Sequence, residues 1–191
     1  MATANTNMRE QLILAGLAEI NEYGLQNFST RRVAKACGVS CAAPYKHFKD
    51  TAEFIAEIMS YINRQYSAQL HEVIEKYKDE GYRVQLIQIG LNYVRFLTEH
   101  PDFRSLIMMN YADADERYRV LRGQLSVETY RIISLYCRQA NMAPETRKRK
   151  VYVFRSLIYC AAMFFANGEM VYNDENMKMV ETMLNREFDL P

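Results

Sequence analysis

Apolar side chains recur every three or four residues along most of the chain, which is the spacing of one face of an α-helix. In residues 8–22 this pattern places Ile13, Leu17 and Ile20 on one face, and it stops at Gly24, a typical helix-ending residue. No segment shows the alternation of apolar and polar residues that is typical of a β-strand. The pattern therefore predicts an all-α protein of about nine helices.

The same spacing of apolar residues, together with capping and helix-ending residues, predicts the longer helices. One is predicted to begin at Asp50, where Glu53 completes a capping-box-like start, and to run to about Glu80, because Gly81 follows. Residues 82–99 are apolar on several faces, which is typical of a central helix, and Pro101 ends this stretch. Further helices are predicted over residues 101–109, 116–140, 145–167 and 174–187.

Two short helical segments, residues 30–37 and 41–48, meet at the sequence Gly38-Val39-Ser40. Glycine supplies the positive φ that a sharp turn between helices needs. Ser40 is the predicted cap of the second segment. Pro44 removes a backbone donor and disfavours helical geometry at Ala43, so Cys41 is the alternative cap. This order predicts a helix-turn-helix unit, whose second helix enters a DNA major groove.

The charge pattern agrees with a nucleic-acid partner. The whole chain carries a net charge of only +1, so any affinity for a polyanion must come from a local patch. Residues 28–49 contain five basic residues and no acidic one: Arg31, Arg32, Lys35, Lys46 and Lys49. The alternative is an ordinary helix junction with a solvated basic face.

The three-helix N-terminal unit, the stretch VAKACGVS, the stretch YKHF and the long helix after it resemble the TetR-type transcriptional regulators over about residues 10–58. The resemblance implies a DNA-binding domain in residues 1–50 and an effector-binding and dimerisation domain in residues 51–191. It also implies a homodimer that binds an inverted-repeat operator on double-stranded DNA and is released by a small apolar effector. Two residues depart from the family pattern: Pro44 replaces a large apolar residue, and Thr51 replaces a lysine that contacts phosphate.

The resemblance implies phosphate contacts by Thr30, Tyr45 and His47, and by one of the two neighbouring arginines. Lys46 is expected to contact guanine edges or phosphate. The missing lysine at position 51 should weaken binding to the DNA backbone unless Lys49 replaces it. Cys41 and Ala42 are small, which favours contacts to thymine methyl groups or little base readout. The complete set of expected DNA-binding residues is Thr30, Arg31, Arg32, Ser40, Cys41, Ala42, Tyr45, Lys46, His47 and Lys49.

The C-terminal part is rich in tyrosine, phenylalanine and methionine, which suit an adaptable ligand cavity. The expected ligand-binding residues are Phe103, Met108, Tyr130, Tyr136, Phe154, Tyr159 and Met163, although each alone is equally consistent with ordinary core. The last two predicted helices carry apolar residues on more than one face, so one face is expected to pair with a second copy of the chain.

Other chemistry has little support in the sequence. We find no glycine-rich phosphate loop, no HExxH and no Gly-x-Ser-x-Gly, so no enzyme and no catalytic residue is predicted. Cys37 and Cys41, with His47 as the nearest histidine, supply only three of the four ligands of a zinc site, so neither a metal nor a cofactor is predicted. The basic run at 146–150 is interpreted as a solvated face. No signal peptide or membrane span is recognised, and the expected location is the cytoplasm.

Two functions therefore remain open: a ligand-controlled DNA-binding repressor, and a helical carrier or sequestering protein for apolar molecules whose N-terminal helices only pack. The acid-free basic run favours the repressor.

Overall fold

The computed structural model of the chain describes residues 2–108, 120–121, 123–124 and 126–189, with all their side chains except those of residues 2–7, Ser105 and Met108. This part of the chain is all-α, as predicted, and contains no strand. Its α-helices are α1 (Ala2–Tyr23), α2 (Thr30–Ala36), α3 (Thr51–Lys76), α4 (Gly81–Glu99), α5 (Pro101–Met108), α6 (Val127–Gln139), α7 (Pro144–Ala166) and α8 (Asp174–Asp189). Two short 3-10 helices cover Leu25–Asn27 and Pro44–Lys46.

The chain forms two compact units. The first comprises Met1–Gln65 and Asp102–Gln124, and the second comprises Tyr66–Pro101 and Leu125–Pro191. The helix α3 contributes residues to both units. The functional boundary expected near residue 50 is a different division of the chain, and it stays a prediction.

The core of the first unit forms where α1 packs on α2 and α3. Leu12, Ile13, Leu17 and Ile20 of α1 are almost completely buried. Gly16 lies on the same helix, and a Cβ atom there would come within 2.7 Å of the Ile58 Cδ1 atom. The missing side chain is therefore what lets α1 approach α3 closely.

The core of the second unit is built around α4, whose contacts include α6, α7 and α8. Ten residues of this 19-residue helix are buried, which confirms the prediction of a central helix. The closest approach is at Gly90, where an added Cβ would lie 2.9 Å from Leu184 Cδ1 and 3.0 Å from Phe154 Cε2.

The predicted boundaries of two other long helices need correction. The helix expected to reach Glu80 ends at Lys76, and a turn leads from there to Gly81, whose φ of 84° marks the start of α4. The helix expected over 116–140 is described only in part: residues 120–121 and 123–124 are helical, and α6 begins at Val127. Residues 116–119, 122 and 125 lie outside the described residues.

We predict that Gly90→Val lowers the free energy of unfolding by about 1–3 kcal/mol, because the new side chain overpacks the α4–α7–α8 contact. In a domain of this size the melting temperature should fall by about 2–4 °C for each kcal/mol lost. The control is Gly123→Ala, since no described atom lies within 4 Å of a Cβ at that helical position. That variant should melt at the parent temperature or above, and equal melting of both variants would contradict the packing argument.

Candidate functional site

The turn after α2 is built as the sequence predicts. Gly38 has a φ of 67°, its amide donates to the Lys35 carbonyl at 3.1 Å, and the Val39 amide donates to the Ala34 carbonyl at 3.0 Å. These two bonds are a Schellman motif, which satisfies the last carbonyls of the helix. At the other end of α2, Ser29 is the N-cap, and its hydroxyl accepts from the Arg32 amide at 3.3 Å.

The segment that follows differs from the predicted helix over residues 41–48. It contains a turn and then the 3-10 helix Pro44–Lys46, whose N-cap is Ala43 and not Ser40 or Cys41. Ala43 itself keeps right-handed helical geometry, with φ of −61° and ψ of −43°, so the expected distortion before the proline is absent. The physical reason for the short helix is the amide hydrogen that Pro44 lacks, since residue 44 cannot donate to the Ser40 carbonyl.

Aromatic rings hold this recognition segment, which we define as residues 40–48, on the body of the first unit. The buried Phe48 ring stacks on Phe54 of α3 with centroids 4.1 Å apart and planes 7° apart. Phe28 meets Phe54 edge to face at 5.4 Å. The Arg9 guanidinium lies 5.3 Å from the centre of the Phe48 ring and forms an ion pair with Glu57 at 2.6 Å. These contacts replace the hydrogen bonds that a longer helix would have supplied.

The start of α3 has the predicted capping-box-like arrangement, with the Glu53 side chain bonded one residue before the Asp50 cap. The Glu53 amide donates to Asp50 Oδ1 at 2.7 Å, and the Glu53 carboxylate accepts from the Lys49 amide. The backbone on both sides of this junction is therefore fixed next to the recognition segment.

Most of the expected DNA-binding side chains face solvent. Arg31, Arg32, Ser40, Cys41, Ala42, Tyr45, Lys46 and Lys49 are exposed, with Tyr45 at 54%. His47 is half-buried next to the Phe48 ring. Thr30 is the exception, because it is 92% buried and its hydroxyl lies 3.3 Å from that of Thr51.

Arg32 is bound inside the first unit. Its Nε donates to Glu19 Oε1 at 2.7 Å, its terminal nitrogen donates to the Asn27 carbonyl at 2.6 Å, and its guanidinium lies 4.2 Å from the centre of the Tyr23 ring. Glu19 is buried and also accepts from the Ser29 amide at 3.1 Å. The sequence reading missed Glu19, although an acid between the apolar residues of α1 was a visible signal.

Because Glu19 neutralises Arg32, four exposed cations remain on the basic face, which we define as Arg31, Lys35, Lys46 and Lys49. Residues 28–49 supply no carboxylate to compete with them. An exposed basic surface without acidic residues favours a polyanionic partner.

The cysteines next to the turn are free thiols. Burial raises the pKa of the Cys37 thiol, whose sulfur lies 3.7 Å from the Gln11 carbonyl oxygen, while Cys41 is exposed. Within the described residues, no three histidine, cysteine or acidic side chains converge on a point where a metal ion would fit.

Three of the expected ligand residues, Tyr130, Phe154 and Tyr159, share one cavity in the second unit. Its volume of about 20 Å³ is enough for one water molecule, far below the 300 Å³ or more of a typical ligand pocket. The Tyr93 hydroxyl donates to the Tyr159 hydroxyl across it at 3.1 Å, and burial raises the pKa of both Tyr66 and Tyr93. Both phenols therefore stay protonated.

Three other expected ligand residues, Phe103, Tyr136 and Met163, do not line this cavity. Phe103 belongs to the first unit, where it meets Tyr61 edge to face at 6.1 Å. Tyr136 packs on Phe188 at 5.3 Å, and Met163 is half-buried on α7. The side chain of Met108 lies outside the described residues.

A larger apolar groove of about 340 Å³ lies on α7 and α8. Eleven residues line it: Tyr152, Val153, Ser156, Leu157, Cys160, Ala161, Phe164, Met170, Met179, Val180 and Met183. Tyr152 is 74% exposed and Met179 45%. The opposite face of these two helices is buried, with Phe154, Ile158 and Leu184 in the core, so both helices present two apolar faces, as predicted.

No helix in the described part of the chain is both long enough and apolar enough to span a lipid bilayer.

Residues 12–58 match the family model of bacterial regulatory proteins of the tetR family. The nucleoid occlusion factor SlmA of Aliivibrio fischeri is 27% identical over 165 residues, which are 85% of this chain and 82% of that protein. SlmA of Photobacterium profundum is 32% identical over 117 residues, which are 60% and 58% of the two chains.

Solved structures with the same fold cover nearly the whole chain. A TetR family transcription regulator from Marinobacter aquaeolei has a TM-score of 0.76 at 15% identity and covers 98% of each chain. The transcriptional regulator FadR from Bacillus subtilis, solved in complex with stearoyl-CoA, has a TM-score of 0.69 at 13% identity and covers 94% of this chain and 97% of its own.

The described helices, the Schellman turn in front of the recognition segment and the match over residues 12–58 agree: this N-terminal part of the chain is similar to the bacterial regulatory proteins of the tetR family, and the described part of the chain shares its fold with a TetR family transcription regulator.

Proposed function

We propose that this protein is a cytoplasmic transcription repressor that binds an inverted-repeat operator as a homodimer and is released by a small apolar effector. The observation that carries the proposal is the basic face, four exposed cations beside an exposed recognition segment with no acidic residue among residues 28–49. Phosphate contacts dominate protein–DNA affinity, and such a surface supplies them.

We assign phosphate contacts and base contacts to different residues of the recognition segment. Tyr45, Lys46 and His47 contact phosphates and set the position of the segment, whereas Cys41 and Ala42 on the exposed turn meet base edges. Of the two neighbouring arginines, Arg31 is the one that we assign to phosphate, because Glu19 already holds Arg32. We assign Thr30 a structural role, because its hydroxyl contacts that of Thr51 and so links α2 to α3.

The groove on α7 and α8 is the surface that we assign to the homodimer. Several large apolar residues there are exposed, including Tyr152, Phe164, Met179 and Met183. An apolar surface of this kind marks an interaction site, and a twofold axis lets the same face pair with itself.

The effector site that we propose is the tyrosine-lined cavity of the second unit. Its 20 Å³ are too small for a metabolite, so the effector must open it, and the stearoyl-CoA in the structure of FadR supports the view that this fold accepts long apolar groups. The helix α3 carries residues of both units. A tilt of its second half therefore also moves Thr51, its first residue, which follows the recognition segment in the chain.

A second candidate function is that of the SlmA relatives, a nucleoid occlusion factor. The observation that favours it is the 27% identity to SlmA of Aliivibrio fischeri, which extends over 85% of this chain. The two candidates share the DNA-binding residues and differ in whether an apolar compound changes DNA affinity.

The first test is DNA binding itself. Selection from random duplexes should enrich an inverted repeat, and the logarithm of the binding constant should fall linearly with the logarithm of salt concentration. Absence of binding to any duplex at low salt would favour the carrier for apolar molecules.

We predict that substitution of Arg31 mainly weakens DNA binding, whereas substitution of Arg32 mainly lowers stability. Arg31→Gln should weaken binding of the selected duplex and reduce the salt slope by about 1 per protomer at an unchanged melting temperature. Arg32→Gln should lower the melting temperature, because it leaves the buried Glu19 carboxylate without its cation, and should change the salt slope less. Equal salt slopes for Arg31→Gln and the parent would contradict our assignment.

We predict that Met183→Glu converts the dimer to a monomer, because it places a charge in the centre of an apolar contact. Light scattering at micromolar concentration measures the change. Thr182→Glu is the matched control, since this exposed neighbour does not line the groove, and it should stay dimeric. A parent protein that is itself monomeric would rule out this part of the proposal.

We predict that at least one fatty acid or acyl-CoA, with stearoyl-CoA among those tried, raises the melting temperature and lowers affinity for the selected duplex about 5–150-fold, the usual range of allosteric coupling. A ligand acts in this way only if it binds the DNA-incompetent state more tightly. Compounds that stabilise the protein and leave DNA affinity unchanged would favour the second candidate.

A further inference from the structure

The last turn of α8 is held by side chains from three other helices. The Lys150 ammonium of α7 donates to the Glu187 carbonyl at 2.6 Å, and the Tyr136 hydroxyl of α6 donates to the Phe188 carbonyl. Arg83 of α4 donates to the Asn185 carbonyl at 3.3 Å. We call Lys150, Tyr136 and Arg83 the α8 socket. The final carbonyls of a helix lack partners within it, and here they receive three donors from outside.

Lys150 is the unusual member of the socket. It is the last residue of the basic run at 146–150, in which Arg147, Lys148 and Arg149 are exposed, yet its own side chain is completely buried. Its ammonium lies 3.6 Å from Glu187 Oε1 and 5.7 Å from the centre of the Phe188 ring. Burying a cation is costly unless it is paired and hydrogen-bonded. The carbonyl and the carboxylate of Glu187 both lie next to this ammonium, so docking of α8 offsets part of the cost.

Apolar packing and a second ion pair add to the same end of the helix. Phe188 is 98% buried and meets Tyr136 edge to face at 5.3 Å and Phe154 at 5.8 Å. Arg83 also donates to Asn185 Oδ1 at 2.9 Å and pairs with Asp189 at 2.5 Å. These contacts therefore fix the C-terminal turn of α8 in one position against α4, α6 and α7.

The position of this turn matters for the groove. One wall of the groove is α8 itself, through Met179, Val180 and Met183, the last of which stands one turn before Glu187. A shift of the C-terminal turn moves these side chains relative to Leu157 and Cys160 on the opposite wall, which α7 supplies.

We propose that the α8 socket, centred on Lys150, positions α8 for self-association, so that Lys150 is a positioning residue for the dimer and, through it, for DNA binding. This inference rests on the proposed function, in which the groove pairs two protomers. The buried cation fixes the position of α8 along its axis, because α8 docks where Glu187 meets Lys150. In that position the side chains of α8 and α7 together form the groove.

The test compares Lys150→Met with Lys148→Met in the full-length chain. The first change keeps the apolar stem and removes the buried cation, whereas the second removes an exposed cation of the same basic run. The dimer dissociation constant is measured by sedimentation over a dilution series, and backbone hydrogen exchange is measured across α8. For Lys150→Met we expect a dissociation constant about tenfold higher and faster exchange confined to the end of α8. Lys148→Met should match the parent.

Lys150→Met leaves the Glu187 carboxylate in a site that is only 13% exposed, and this variant can fail to fold. Tyr136→Phe is the second variant, because it keeps the ring packed on Phe188 and removes only the hydroxyl donor. It should raise both the dissociation constant and the exchange rate at the end of α8, by less than Lys150→Met.

The outcomes separate the two proposals. A parent protein without a dimer overturns the dimer itself. A dimeric parent together with a folded Tyr136→Phe or Lys150→Met variant that has the parent's dissociation constant overturns the positioning role. A lower melting temperature with an unchanged dissociation constant also overturns it, since a purely structural role would give that result.

Discussion

The flat stack of Phe48 on Phe54 is the contact on which the position of the recognition segment in the first unit depends. A recognition segment of one 3-10 turn has too few internal hydrogen bonds to hold its own shape, because short helices are marginal in water. The stack and the Arg9 guanidinium attach this segment to α3 and α1, and Phe28 packs against the same Phe54 ring. The exposed Tyr45 and Lys46 then project from a fixed base, and little ordering cost is left for the moment of binding.

Charge in the first unit is divided between holding the fold and facing solvent. Glu19 accepts from the Ser29 amide and from Arg32, so one buried carboxylate orients the start of α2 and neutralises one of the five basic residues. The four others remain exposed, where attraction to a polyanion is screened by salt. A chain with a net charge near zero therefore still presents a strongly basic local surface.

The second unit follows a similar division between buried and exposed faces. Gly90 lets α4 come close to α7 and α8, whose inner faces form the core and whose outer faces form the groove. The α8 socket satisfies the end of the last helix with donors from three others. Packing thus determines the surface that we assign to the second copy of the chain.

The sequence by itself determined the all-α class, most helix starts and ends, the Gly38 turn, the Asp50–Glu53 cap and the basic run, because each depends on residues a few positions apart. Only the tertiary structure decided that Arg32 is paired and Arg31 is exposed, and that Lys150 is buried while Lys148 is solvated. The partners concerned, Glu19 and Glu187, lie 13 and 37 residues away in sequence. Pairing over such distances leaves no local pattern, since it depends on how whole helices pack.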